Sequence, residues 1–141
     1  MLDFRPAGRP RPAYPGLVPR RLLVLQDDLF FGARVEAAAR RLGLVAEPVS
    51  AGQVEARARD GGTVVVMQLT LRPERQLALL ERLLRGQPAP TVVAVSGHLE
   101  TDLRRRARAL GARLATHSGL DRALARAAAL SDDPDGRDGR A

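Results

Sequence analysis

Short apolar runs alternate with longer amphipathic stretches through most of the chain. The first four runs are rich in valine and leucine and long enough for a buried strand, and the fifth is more polar. The five runs cover residues 22–25, 44–49, 63–69, 91–95 and 113–116. The run at 63–69 contains three consecutive valines, which predicts a strand at the centre of a sheet.

The stretches between these runs have apolar residues at helical spacing. In the first, Phe31, Val35, Ala38 and Leu42 fall on one stripe, and Gly43 follows as a stop signal. The predicted helices cover residues 31–42, 53–59, 73–85, 101–110 and 120–130. Strands alternating with helices predict an α/β fold, a five-stranded parallel sheet with helices on both faces.

Two features predict the edges of that sheet. Pro48 lies in the second strand, and proline cannot donate a hydrogen bond to a neighbouring strand. The fifth run, 113–116, is short and polar, which is typical of an edge. We therefore expect the second and fifth strands to be outermost.

Composition divides the chain into one domain, residues 21–130, and two tails. Residues 1–20 hold five prolines and four arginines, and we expect them to be disordered. Residues 131–141 hold four aspartates with two arginines and three small turn-forming residues, and are also expected to be disordered. No apolar run is long enough to cross a membrane, no signal peptide is visible and there is no cysteine, so we expect a cytoplasmic protein.

The net charge of +7 would ordinarily suggest a nucleic-acid partner. However, all 23 basic residues are arginine, and lysine, isoleucine and asparagine are absent. These three amino acids share A/T-rich codons, so their joint absence indicates a GC-rich gene. Only four aromatic residues occur, and they form no stacking platform among the arginines. Nucleic-acid binding is therefore not expected.

The order of elements over residues 21–130 resembles the receiver domain of bacterial response regulators. Two local motifs add to the resemblance: Ala94-Val95-Ser96-Gly97 after the fourth strand, and the run from Arg106 to Ala112 before the fifth. The resemblance implies a flavodoxin-like fold with strand order 2-1-3-4-5, which agrees with the edges predicted above.

In receivers an acidic pair follows the first strand, the phosphorylated aspartate ends the third, a serine or threonine ends the fourth and a lysine ends the fifth. Counting back from Gly43, the acidic pair falls on Gln26 and Asp27, with Asp28 adjacent. The phosphoacceptor position falls on Gln68 and the hydroxyl position on Ser96. The remnant receiver pocket implied by the resemblance consists of Gln26, Asp27, Asp28, Gln68, Ser96 and, at the lysine position, His117 or Ser118.

These replacements remove the chemistry of phosphotransfer. Glutamine at positions 26 and 68 removes the negative charge that would attract magnesium, and an amide cannot form an acyl phosphate. The sequence therefore predicts a pseudo-receiver: a non-phosphorylatable protein-interaction module in bacterial signalling or regulation, with no catalytic residue and no cofactor.

The resemblance also implies an interaction face on the fourth helix, fifth strand and fifth helix. It would carry Arg104, Arg105, Arg108, Arg113, Arg122 and Arg126 and would suit an acidic protein partner. Two alternatives stay open: a homodimer formed through this face, and ordinary solvated positions that codon bias fills with arginine.

A second class of function is a small-ligand or metal-binding sensor at the same strand ends, where open α/β sheets bind ligands. The candidate metal ligands are Asp27, Asp28, His98 and His117. We expect Phe30 and Phe31 to pack under the loop after the first strand; the alternative is that Phe30 covers a ligand cleft. Ser96 with His117 lacks the glycine-flanked elbow of a serine hydrolase.

Overall fold

The computed structural model describes residues 21–131, so the predicted tails lie outside the described residues except for Ser131. The strands are β1 (Arg21–Leu25), β2 (Ala46–Val49), β3 (Thr63–Gln68), β4 (Thr91–Val95) and β5 (Arg113–Ala115). The helices are α1 (Leu29–Arg41), α2 (Ala51–Arg57), α3 (Pro73–Arg85), α4 (Thr101–Leu110) and α5 (Leu120–Ser131). Within residues 21–131, no helix has the length and apolar character needed to span a membrane.

The strands form one parallel sheet in the order β2-β1-β3-β4-β5. The predicted fold class and strand order are therefore confirmed. β2 and β5 are the outer strands, as Pro48 and the polarity of the fifth run indicated. Pro48 pairs in register with Val24 and needs no partner on its other side.

Two apolar layers cover the sheet, one on each face. On β1, Leu22 and Val24 pack with α1 and α5, whereas Leu23 and Leu25 pack with α2, α3 and α4. Alternate residues of a strand point to opposite faces, so a continuous apolar run fills both layers. All six residues of β3 are buried, which is the burial expected for a central strand.

Two helices begin earlier than predicted, whereas α4 has the predicted bounds. α1 begins at Leu29, two residues before the predicted start, because Asp28 caps it: the Phe30 amide donates to Asp28 Oδ1 at 2.9 Å. α2 is also shifted toward the amino terminus, and Ser50 is its N-cap residue. Gly111 ends α4 with φ 109°, a left-handed conformation that favours glycine.

The parallel arrangement brings the carboxyl ends of all the strands to one edge of the sheet. Each helix then runs back toward the opposite edge. The loops after β1, β3 and β4 are consequently neighbours, although they are far apart in sequence. The residues of the predicted receiver pocket lie in the loops after β1, β4 and β5 or, for Gln68, in the last position of β3.

The different burial of Leu80 on α3 and Leu29 on α1 predicts different losses of stability when each is replaced by alanine. Leu80 is fully buried and Leu29 is 82% exposed. We expect Leu80→Ala to lower the free energy of unfolding by about 2–5 kcal/mol, since it leaves a cavity in a packed layer. Leu29→Ala should change it by less than about 0.5 kcal/mol. Urea unfolding of both variants measures the difference, and equal losses would contradict the packing described here.

Candidate functional site at the carboxyl edge of the sheet

Three adjacent strands bring together the predicted pocket residues other than His117 and Ser118, which follow β5. Gln26, Asp27 and Asp28 follow β1, Gln68 is the last residue of β3, and Ser96 follows β4. Gln68 and Ser96 are buried, whereas Gln26 and Asp27 are exposed. The site therefore combines exposed residues of the β1–α1 loop with two buried polar side chains, Gln68 and Ser96.

Asp28 is held at both carboxylate oxygens. Its Oδ1 accepts from the Phe30 amide, and its Oδ2 accepts from Gln68 Nε2 at 3.2 Å. The Gln68 hydrogen bond, followed by that of the Phe30 amide, holds the pKa of Asp28 below its usual range. Asp28 thus serves both as a helix cap and as the hydrogen-bond acceptor for Gln68.

Gln76, on α3, provides a second amide in the pocket. Its Nε2 donates to Asp27 Oδ2 at 2.9 Å and to the backbone oxygen of Gln68 at 2.8 Å. Both partners are acceptors, so the nitrogen of the amide must face them. Gln76 is only 5% exposed, and its side chain ties the β1–α1 loop to the end of β3.

Opposing influences act on Asp27. Partial burial raises the pKa of Asp27, while the Gln76 hydrogen bond and the positive charges of Arg72 and Arg75 counteract part of that increase. The three side chains that lower the pKa also line a cavity of about 180 Å³ with Asp27. This volume is below the roughly 300–1,000 Å³ of typical small-molecule sites.

Sequence reasoning did not identify Gln76. A signal was available, because Gln76 shares a helical face with Leu80 and Leu83, both buried. A polar residue on an otherwise apolar stripe needs a buried partner. The sequence could not indicate which groups those partners are.

A second set of contacts links the loops after β3 and β4. Glu100 Oε1 accepts from the Gly97 amide at 2.7 Å and from Thr70 Oγ1 at 2.8 Å. Arg104 on α4 donates to Ser96 Oγ at 3.3 Å and to the Ala115 backbone oxygen at 3.4 Å. The Ser96 hydroxyl therefore contacts a guanidinium group.

The histidines do not converge on this pocket with the aspartates. His98 and His117 are both exposed, as is Ser118, whose hydroxyl lies 3.4 Å from that of Thr116. Within residues 21–131 no three histidine, aspartate or glutamate side chains are grouped so as to hold a metal ion. The structure thus does not assemble Asp27, Asp28, His98 and His117 into a coordination site.

The two phenylalanines after β1 have different environments. Phe31 is 2% exposed and packs in the layer with α1 and α5, as predicted. Phe30 is 86% exposed, so the expectation that both rings pack under the loop is wrong for Phe30. The first turn of α1 explains the difference, because adjacent residues of a helix point in different directions.

The predicted interaction face contains a groove along the outer edge of β5, between α4 and α5. The groove has a volume of about 550 Å³. Five of the six predicted arginines line it: Arg104, Arg108, Arg113, Arg122 and Arg126. Arg105 does not line this groove and forms an ion pair with Asp102 on its own helix.

Comparison with solved structures agrees with this architecture. The receiver domain of a sensor histidine kinase from Pseudomonas aeruginosa, solved with magnesium in its active-site cleft, superposes with TM-score 0.63 at 17% identity, over 79% of this chain and 98% of that domain. This chain has the receiver fold. A receiver domain from Rhodospirillum rubrum gives TM-score 0.54 at 17% identity, over 77% and 91%.

The receiver fold also occurs in a protein described as pilus assembly-related from Burkholderia pseudomallei. That protein gives TM-score 0.59 at 25% identity, over 81% of this chain and 91% of its own. No protein-family model and no curated protein matches the sequence.

The receiver fold implies a divalent cation in this pocket, and the residues present do not fit one. Magnesium prefers oxygen ligands, above all carboxylates. Here residues 26 and 68, which the resemblance puts at acidic receiver positions, are glutamines, and the carboxylates of Asp27 and Asp28 accept hydrogen bonds from Gln76 and Gln68. Amide N–H groups are directed at the oxygens that a cation would need.

The two aspartates have opposite pKa shifts, because burial has the largest effect on Asp27 and the Gln68 hydrogen bond has the largest effect on Asp28. Asp27, with its raised pKa, stabilises the fold at low pH, and this contribution is lost as pH rises through that pKa. Asp28, with its lowered pKa, stabilises the fold at pH values above the ordinary pKa of an aspartate. This stabilisation is lost as the pH falls through the lowered pKa. Carboxyl-carbon NMR titration should therefore show Asp28 protonating at lower pH than Asp27.

Two variants test the assignment of each donor. Gln76→Met should raise the pKa of Asp27 further, and Gln68→Met should raise that of Asp28, because each removes an N–H donor to the charged form. Each variant is the control for the other. If either substitution left the pKa of its aspartate partner unchanged, the assignment of that hydrogen bond would be wrong.

Proposed function

We propose that this protein is a non-phosphorylatable receiver-like module that acts through protein contacts in bacterial signalling or regulation, in the cytoplasm and without enzymatic activity. The observation that carries the proposal is that Gln68 is buried at the end of β3 and hydrogen-bonded to Asp28. The resemblance puts this residue at the phosphoacceptor position.

The chemistry of an amide supports the first half of the proposal. Phosphotransfer to a receiver needs a carboxylate oxygen as nucleophile and a cation to neutralise the phosphoryl oxygens. At position 68 the side chain is an uncharged amide whose nitrogen donates to a carboxylate. The whole chain has no lysine that could pair with a phosphoryl group.

The groove supports the second half. It concentrates five arginines beside an outer strand. A symmetric homodimer through this face would set arginines against arginines, which is unfavourable. An acidic segment of another protein would complement the charge and could lie along the open edge of β5.

Treatment of the protein with acetyl phosphate and magnesium tests whether it can be phosphorylated. We expect the intact mass to stay unchanged, because no carboxylate occupies the acceptor position. The matched control is Gln26→Asp with Gln68→Asp, which restores two acids and should gain a saturable magnesium response in amide NMR spectra. A hydrolysable phosphoryl adduct on the unmodified protein would overturn the proposal.

Cross-linking capture in the native cells tests the groove as the contact surface. We expect Arg122→Gln with Arg126→Gln to reduce recovery of partners at least about tenfold, since two charge-assisted contacts are lost. Arg34→Gln with Arg40→Gln removes equal charge from exposed positions of α1 and should have no effect. Equal capture by both double variants would place the contact elsewhere.

A further inference from the structure

None of the five arginines that line the groove beside β5 forms an ion pair with an acid of residues 21–131, whereas seven of the twelve other arginines of these residues do. The seven paired arginines are Arg21, Arg41, Arg57, Arg82, Arg85, Arg105 and Arg106. Arg104 donates to Ser96 and to a backbone oxygen instead.

The topology sets where these charges lie relative to the end of α5. α4 and α5 run antiparallel to β5, so the last turns of both helices lie near the start of that strand. Arg108, Arg113 and Arg126 are therefore on the side of the groove at which α5 ends with Ser131. The chain leaves the described structure next to an unbalanced basic cluster.

The sequence that continues from Ser131 is acidic. Residues 132–138 contain Asp132, Asp133, Asp135 and Asp138 with one arginine. Arg122 lies nine residues before Ser131, a helical distance of about 14 Å. Seven extended residues span about 23 Å, so the segment is long enough to return along the groove.

We propose that the chain's own acidic segment, residues 132–138, folds back into the groove and supplies the carboxylates that Arg108, Arg113, Arg122 and Arg126 lack. The tether keeps the segment at a high effective concentration near the groove. The contact is electrostatic and therefore weakens with salt. It does not require an external partner, but an acidic partner of the kind proposed above would have to displace it.

A spin label on the acidic segment tests this contact in the full chain. The protein has no cysteine, so Gly136→Cys gives one attachment point for a nitroxide. We expect the label to broaden the amide NMR signals of residues 113–116 and 122–126 at low salt. The broadening should fall at least about threefold at 0.5 M salt, where the screening length is only a few ångströms.

Two matched variants make the result specific. The full-length variant with Asp132, Asp133, Asp135 and Asp138 all changed to Asn keeps the tether and removes the charge, and should lose the broadening. Ala7→Cys puts the same label on the basic amino-terminal tail and should not broaden the groove signals. Broadening confined to the last turn of α5, or unchanged in the asparagine variant, would overturn the proposal.

A mixed sample separates the segment's own groove from that of a second copy. Protein that carries the nitroxide but no isotope label is mixed with isotope-labelled protein that carries no nitroxide. Broadening of the NMR signals of groove residues in this mixture would show contact between two copies and would overturn the proposal that the segment folds back within one chain. The outcome is independent of the proposed function, because partner capture can fail while the broadening persists, and the reverse.

Discussion

Burial of β3 between two helical layers is the constraint on which the other features depend. Every residue of this strand is buried, and β1 and β4 pair with it on either side. The position at its carboxyl end therefore lies at the centre of the sheet edge, surrounded by the loops after three strands. A polar side chain at that position must find its partners within the protein. Gln68 finds Asp28, and its backbone oxygen accepts from Gln76.

These contacts stabilise two neighbouring carboxylates, Asp27 and Asp28, without a metal ion. Two neighbouring carboxylates repel one another, and a divalent cation is one means of offsetting that repulsion. In this chain each carboxylate accepts an N–H from a glutamine amide. An amide is neutral, so it holds the loops together without a net charge that would attract either a cation or a phosphoryl group.

The arginine groove lies on a different part of the molecule, along the outer edge of β5. Its guanidinium groups are brought together by the return of α4 and α5 along opposite sides of one short strand. Arg104 joins the two regions, because it lines the groove and donates to Ser96 at the end of β4. A single side chain, that of Arg104, therefore connects the groove with Ser96 at the pocket.

The sequence by itself predicted the five strands and the two edges, because apolar periodicity indicates buried strands and proline cannot donate a hydrogen bond to a neighbouring strand. The strand order was implied by the family resemblance. The family resemblance implied Gln68 as the residue at the acceptor position. Only the tertiary structure identified Gln76 as the donor to Asp27, placed Phe30 in solvent and separated Arg105 from the groove. Periodicity shows which face of an element is buried. It does not specify which atoms from distant elements meet there, because loop conformations and side-chain rotamers set those distances.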